Sequence, residues 1–266
     1  MGNWTNYAEN KLLDHVLGEG GETYARPTHL YCALCTADPG EAAIGSGITE
    51  VSGGSYTRIV CDDWDSASSR AAANSAAITF PEASASLGTI THFAILDTVT
   101  AATGNVIAYG VISPNKAPGS GDTIYIDTGD IDVSFDSGEI STYLANKLID
   151  HVFEGTPYSQ PDIFVALCTA TPVDADTGST ISEPADNYAR ISDDAWGTAA
   201  SGATDNDGAI TFTEATNEWA TVTHFALCDH ISTGQVLFFG GLNTSKLIGA
   251  GDTARFAAGE LDVTLD

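Results

Sequence analysis

The side chains that could carry chemistry in this chain are five cysteines, six histidines and a large excess of carboxylates. Cys32-Ala-Leu-Cys35 has the CxxC spacing of a dithiol redox centre or of half a zinc site, and either needs both sulfurs. A second, similar segment carries Val165 and Cys168 at the matching places, and no other CxxC completes a four-cysteine set. The pair therefore reads as core packing, in keeping with the strong tendency of free cysteine to bury. Asp14-His15 and Asp150-His151 offer an acid–imidazole pair, but adjacent positions on a helix do not face each other. A histidine near a helix C-terminus offsets the helix dipole, which is the structural reading of both pairs. His92 and His224, each in a Thr-His-Phe run, could enter a serine triad, yet no G-x-S-x-G elbow supplies a nucleophile. They are expected as half-buried histidines bonded across a sheet. The acidic stretches Asp62-Asp63, Asp127 to Asp132, Asp193-Asp194 and Asp205-Asn206-Asp207-Gly208 could offer oxygens to calcium. The run from Asp205 opens like an EF-hand loop, but its twelfth position is Thr216 rather than Glu, and solvated turns are the competing reading.

Cations are scarce, so their placement carries information. Arg58 and Arg190 recur in Tyr-x-Arg runs, and Lys116 and Lys246 recur in what read as the next-to-last loops. Equivalent placement suggests specific pairing with carboxylates, inside the chain or across an interface, and Glu50 and Glu183 of the long loops join them as candidate partner-binding residues. Trp64 and Trp196 read as caps on the cores, and tryptophan is also enriched at interfaces. These eight residues are the candidate partner-binding set. No catalytic residue, metal ligand set or cofactor motif is expected, since the phosphate-loop, dinucleotide-binding and zinc-protease patterns are all missing.

The elements that must position these residues are written twice. Tyr7 to Leu17 matches Tyr143 to Phe153 at seven of eleven positions. Blocks LYCALCTADP/FVALCTATP, SYTRI/NYARI, AITF/AITF, THFAILD/THFALCD and SGDTIYIDTGDIDVSFD/AGDTARFAAGELDVTLD follow in the same order. The reading is mainly β: two tandem β-sandwich domains, residues 1–136 and 137–266, each preceded by one short N-terminal α-helix. The linker is Ser137-Gly138-Glu139. Apolar residues at helical spacing predict a helix over 6–17, with Asn6 and Glu9 as a capping box and Gly18 as its stop; the second begins after Ser141 and stops at Gly155. Short strands are expected at 29–36, 56–61, 76–80, 90–97, 104–112, 122–126 and 130–135, separated by turn residues. The long polar loops 37–55 and 173–187 are the expected partner surfaces.

Composition narrows the function. Nine Lys plus Arg against 36 Asp plus Glu give a formal charge of −27, which excludes the clustered cations that nucleic acid or an anionic membrane surface needs. No apolar run reaches the length of a membrane span, and the first ten residues lack the pattern of a signal peptide. Five cysteines at irregular spacing are no disulfide framework and read as buried free thiols in a reducing compartment.

The order ANKLxDHV, FVALCTATP, NYAR, AITF, TVTHFALCD and AAGELDVTLD resembles a family of small tailed-bacteriophage virion proteins, often labelled tail-fibre-like. The resemblance covers one repeat completely and, applied twice, nearly the whole chain. It implies a non-enzymatic structural protein of the virion, assembled in the host cytoplasm. A capsid decoration, or cement, protein is the first role it implies, with the major capsid protein as partner and a second copy of the chain as the other candidate. A tail or tail-fibre component contacting the host, or a cell-surface adhesion module, is the alternative. No heptad or collagen-like run of a fibre shaft is present, which favours the cement role.

Overall fold

The computed structural model of the chain describes residues 2–18, 23–136, 139–193 and 195–265. Ser137 and Gly138 of the expected linker, and Asp194 of the Asp193-Asp194 pair, lie outside them. The first repeat runs β1 (Gly2–Trp4), α1 (Asn6–Leu17), β2 (Tyr31–Cys35), β3 (Ile59–Val60), β4 (Ala71–Ala73), β5 (Ile78–Thr79), β6 (Ile90–Leu96), β7 (Val106–Lys116), β8 (Tyr125–Ile126) and β9 (Asp132–Ser134). The second runs α2 (Thr142–Ile149), a π-helical turn over Asp150–Glu154, β10 (Phe164–Cys168), β11 (Ile191–Ser192), β12 (Ala203–Asp205), β13 (Ile210–Thr211), β14 (Ala220–Cys228), β15 (Val236–Ile248), β16 (Arg255–Phe256) and β17 (Asp262–Thr264).

The chain is mainly β, and both repeats build the same principal sheet. Its order is β3-β2-β6-β7 in the first and β11-β10-β14-β15 in the second, all antiparallel. The register is the same in both: Cys35 opposes His92 as Cys168 opposes His224, and Leu34 opposes Phe93 as Leu167 opposes Phe225. Facing each sheet are two short ribbons, β4–β9 with β5–β8, and β12–β17 with β13–β16. In the first repeat β1 lies between β7 and β9, antiparallel to one and parallel to the other, and joins ribbon and sheet into seven strands. The second repeat keeps a remnant of this stitch, the bridge Ile140↔Phe238.

Strands β2 and β10 are buried on both faces, which is why YCALC and FVALC are continuous apolar runs rather than alternating ones. Cys32 and Leu34 face the main core, while Ala33 and Cys35 join Ala43, Ala94 and Val106 in a smaller cluster on the other face. The loop 37–55 covers that second face, and Ile181 of the loop 173–187 does the same for Ala166 and Cys168.

The helix over 6–17 forms as its spacing predicts, but its cap is Thr5, not Asn6: the Thr5 hydroxyl accepts from the Ala8 amide, and no Asn6–Glu9 capping box is made. In the second helix Ser141 caps by accepting from the Leu144 amide, and Gly155, in the left-handed region, ends the π-helical turn. The strand expected at 56–61 shortens to β3, because Tyr56 and Arg58 turn their polar ends to a different task described below. Strands β4 and β12 lie outside the expected runs: alanine and aspartate carry little β propensity, Thr204 alone favours a strand, and it is pairing with β9 and β17 that holds them. The main core is continuous through both repeats, holding Leu12, Trp64 and Val133 together with Phe153, Trp196 and Val263. Among the described residues no helix is long and apolar enough to cross a membrane.

Candidate functional site

Three arrangements draw in the polar residues singled out by sequence: the junction between repeats, a buried clamp under each long loop, and a groove beside each principal sheet.

At the junction the helices exchange contacts reciprocally, the mark of a two-fold relation. Asp14 accepts from the Ala199 amide (2.7 Å) and Asp150 from the Ala67 amide (2.6 Å). Asn10 accepts from the Gly202 amide and Asn146 from the Arg70 amide, each at 2.8 Å. His15 Nδ1 accepts from the Tyr24 amide while its Nε2 meets the Tyr158 carbonyl; His151 Nδ1 accepts from the Tyr158 amide while its Nε2 meets the Tyr24 carbonyl. The two rings stack across the axis. Burial, opposed by the bond to the Tyr158 carbonyl and aided by the neighbouring imidazole, holds His15 below the usual histidine range. Phe153 of the second repeat lies against Trp64 (centroids 4.3 Å) and Trp4 (5.4 Å) of the first. The Asp-His pairs thus bind repeat to repeat, and each carboxylate and ring is committed to a backbone partner.

The clamps are equally matched. Arg58 grips Glu50 with two bonds, Nε to Oε1 at 2.9 Å and Nη2 to Oε2 at 2.7 Å, and its Nη1 donates to the carbonyls of Thr98 and Thr103. Arg190 grips Glu183 at 3.0 and 2.7 Å and donates to the carbonyls of His230 and Thr233, and also to that of Gly178. Tyr56 and Tyr188 complete the set: each hydroxyl donates to the clamp carboxylate and accepts a strand amide, from Leu34 or Leu167. The planar guanidinium fork suits this bidentate geometry. The clamp pins the long loop to the turn between β6 and β7 in the first repeat and between β14 and β15 in the second. Gly45 and Gly178 make the close approach possible, since a Cβ there would fall 1.9 Å from the Thr103 carbonyl oxygen and 2.1 Å from that of Thr233.

The sulfurs are packed rather than poised. All five cysteines are free and buried. Burial, followed by the clamp glutamates, pushes the Cys35 and Cys168 thiols up to about 12. A nucleophile or metal ligand needs the opposite shift. His92 and His224 meet the hydroxyls of Thr91 and Thr223 next to them, each at 2.8 Å. Among the described residues no group of three or more His, Cys, Asp or Glu converges as a metal site.

Two buried asparagines escaped the sequence reading. The Asn74 side chain bonds three backbone groups and that of Asn206 four, holding the turn before β9 or β17 against the turn that follows β4 or β12. Their signal was present: both stand three residues before the repeated AITF block, Asn206 inside the run read as a calcium candidate.

The eight candidate partner residues therefore separate. Glu50 with Arg58, and Glu183 with Arg190, are paired inside the chain, and the two arginine side chains are almost wholly buried. Trp64 and Trp196 are buried, their indoles donating to the carbonyls of Cys61 and Asp193. Lys116 and Lys246 are exposed, and among the described residues neither makes the expected ion pair. They also lie on strands rather than loops, Lys116 ending β7 and Lys246 within β15. Each lines a groove between its strand and the facing ribbon. The first measures 220 Å³, with Phe93, Ile112 and Tyr125 in its walls; the second measures 520 Å³, with Phe225, Leu242 and Arg255 in theirs.

A family model described as podophage GP4 fiber I protein gp80 matches the chain twice, over residues 3–134 and again over 139–264. The two matched stretches follow the two repeats. No curated protein matches the chain.

Proposed function

The chain belongs to the family of podophage GP4 fiber I protein gp80, a phage virion structural family, and from that premise we propose that it is a non-enzymatic component of the fibre apparatus. The observation that carries this reading is the double match to a family described as a fibre protein. The structure supports a rigid connecting part rather than a shaft. One core runs through two copies of the unit, and their reciprocal junction fixes the spacing of two equivalent surfaces. Two linked surfaces raise avidity through effective concentration. A non-enzymatic role is supported by the buried thiols, kept protonated, and by Asp-His pairs committed to backbone partners.

A second reading, a capsid decoration protein bound to the major capsid protein, is favoured by one observation. The described chain is compact and carries none of the long helical or repeated β elements from which shafts are made. The two separate on copy number per purified particle, measured by quantitative mass spectrometry against the major capsid protein, together with immunogold labelling. A few to a few tens of copies, with label at the tail, support the fibre role; hundreds in simple ratio to the shell, with label over the head, overturn it in favour of decoration.

A further inference from the structure

Each long loop is clamped to a turn, and each turn carries an apolar side chain into solvent. Val99 follows Thr98, whose carbonyl accepts from Arg58; Ile231 follows His230, whose carbonyl accepts from Arg190. The two residues therefore hold the same place in their repeats. The turns themselves have diverged: DTVTAATGN over 97–105 in the first, DHISTGQ over 229–235 in the second. What else they share has a task in the fold. Asp97 and Asp229 accept the amides of Asn105 and Gln235 (2.8 and 2.6 Å), and Gly104 and Gly234 take the left-handed conformation. The third place is also shared, an apolar β-branched residue, yet Val99 is 49% exposed and Ile231 53%. A side chain that leaves half its surface in water contributes little burial to the fold. Its presence in both copies points outward, to something that covers it.

The two tips are also held in place. Besides the clamp, loop and turn are bridged at Ile44↔Asn105 and at Thr177↔Gln235, and the amides of Gly45 and Gly178 donate to the carbonyls of Gly104 and Gly234, each at 2.9 Å. A surface fixed before it binds loses less freedom on association. The long loops add one exposed apolar residue each, Ile44 in the first and Val173 in the second. Charge states the chemistry of the partner. Loops 37–55 and 173–187 and turns 97–105 and 229–235 contain no lysine or arginine. Asp38 and Glu41 stand exposed in the first loop and Asp186 in the second. The arginines that reach these segments are committed: Arg58 and Arg190 to their glutamates, Arg70 to Asp174. Each tip is thus an apolar spot in an acidic surround, and its complement is an apolar centre with a rim of lysine or arginine. A phosphate-rich surface is repelled there, and so is a second copy of this chain, whose net charge of −27 has the same sign.

We propose that the tips at Val99 and Ile231 are two equivalent docking points for a protein surface that is apolar at its centre and basic at its rim, borne by the virion part to which this chain attaches. Val99 and Ile231 are the central anchors, and the acids around them set partner choice and encounter rate. The junction between the repeats fixes the separation of the tips, so a partner that offers two such sites gains avidity. The partner's place in the particle rests on the reading of the chain as a virion component; the preference of the tips for a basic, apolar surface does not.

The test uses the purified full chain and a rhodamine-labelled octapeptide alternating leucine with lysine, beside the same peptide with serine for leucine. Fluorescence anisotropy at physiological salt is expected to show the leucine peptide binding at least tenfold more tightly, with two peptides per chain. Val99→Asp/Ile231→Asp is expected to weaken that binding at least tenfold even though it makes the chain more acidic, and to leave the melting temperature unchanged because both side chains are half exposed. Val111→Asp/Leu247→Asp, which adds the same charges at exposed apolar residues elsewhere, one in each repeat, is expected to bind like the parent chain. Equal binding of the two peptides, binding of neither, undiminished binding in Val99→Asp/Ile231→Asp, or the same loss in both variants overturns the proposal. Self-association of the chain that Val99→Asp/Ile231→Asp abolishes overturns it in favour of a second copy. Absence of the chain from purified particles defeats the virion reading alone and leaves the peptide result standing.

Discussion

His15 and His151 stack with ring centroids 4.7 Å apart and planes inclined by 16°, one ring from each repeat. Each accepts a backbone amide at Nδ1, at 3.1 Å, so each is neutral with its proton on Nε2, where a carbonyl lies at 2.8 Å. A second proton would point Nδ1–H at an amide N–H and place two cations face to face. The junction is therefore built for uncharged imidazoles.

The pH dependence follows from that. His15 is held below its ordinary value, so the folded chain binds fewer protons than the unfolded one. Stability then rises with pH through this window. It is present in full above about 6.5, the ordinary histidine value, and is lost as pH falls through the lower folded value. Thermal melts between pH 8 and pH 5.5 are expected to show a falling midpoint, and His15→Gln/His151→Gln to flatten the profile. A midpoint that rises on acidification in this range refutes the assignment.

The clamps give a second expectation. The Arg58 side chain is 0% exposed and that of Glu50 8%, so removing the carboxylate charge leaves a buried guanidinium without its counter-ion. Loss of one partner of a buried pair costs about 3–5 kcal/mol. Glu50→Gln is expected to lower the urea midpoint by an amount in that range, and Glu50→Gln/Arg58→Met to recover part of it. If Glu50→Gln is neutral, the clamp does not hold the loop.

Much of this was legible before any coordinates. The repeat, the helix over 6–17, the buried CxxC and the recurring Tyr-x-Arg runs all follow from residue type and spacing. What was missed depends on contacts far apart in sequence. β4 is three alanines whose strand character comes from pairing with β9, about sixty residues on. The cap is Thr5 because the Thr5 hydroxyl also reaches the Val106 carbonyl, a tertiary tie, whereas the Asn6 side-chain oxygen meets no hydrogen-bond partner among the described residues. Arg58 and Lys116 recur in the same way in sequence, yet one is buried against Glu50 and the other is exposed. Recurrence marks a position as structurally equivalent, not as internal or external.

Phe153 tests whether the two repeats are one cooperative unit. It is wholly buried and fills space between Trp4 and Trp64 of the other repeat. Truncating such a phenylalanine costs about 3–5 kcal/mol through lost burial and a residual cavity. Because the core is continuous, Phe153→Ala is expected to shift a single unfolding transition, with circular dichroism and tryptophan fluorescence coinciding. Two separated transitions, only one of them moved, would mean that the repeats fold independently.

The thiols test the packing reading of the CxxC most directly. Cys35, Cys168 and Cys228 are each pushed up to about 12, chiefly by burial. At pH 8 a thiol of that acidity is thiolate in only about one molecule in ten thousand, and the thiolate is the form that attacks a disulfide reagent. Cys32, paired in the register with Ile95, and Cys61, whose carbonyl accepts from the Trp64 indole, are shifted in the same direction for the same reason. Ellman's reagent is therefore expected to find no reactive thiol in the native chain over an hour and all five in denaturant. Reaction should track global unfolding, so Glu50→Gln and Phe153→Ala should accelerate it together. Rapid labelling of Cys32 or Cys35 in the native chain, with the other three silent, would instead show the CxxC to be accessible and return it to redox or metal chemistry.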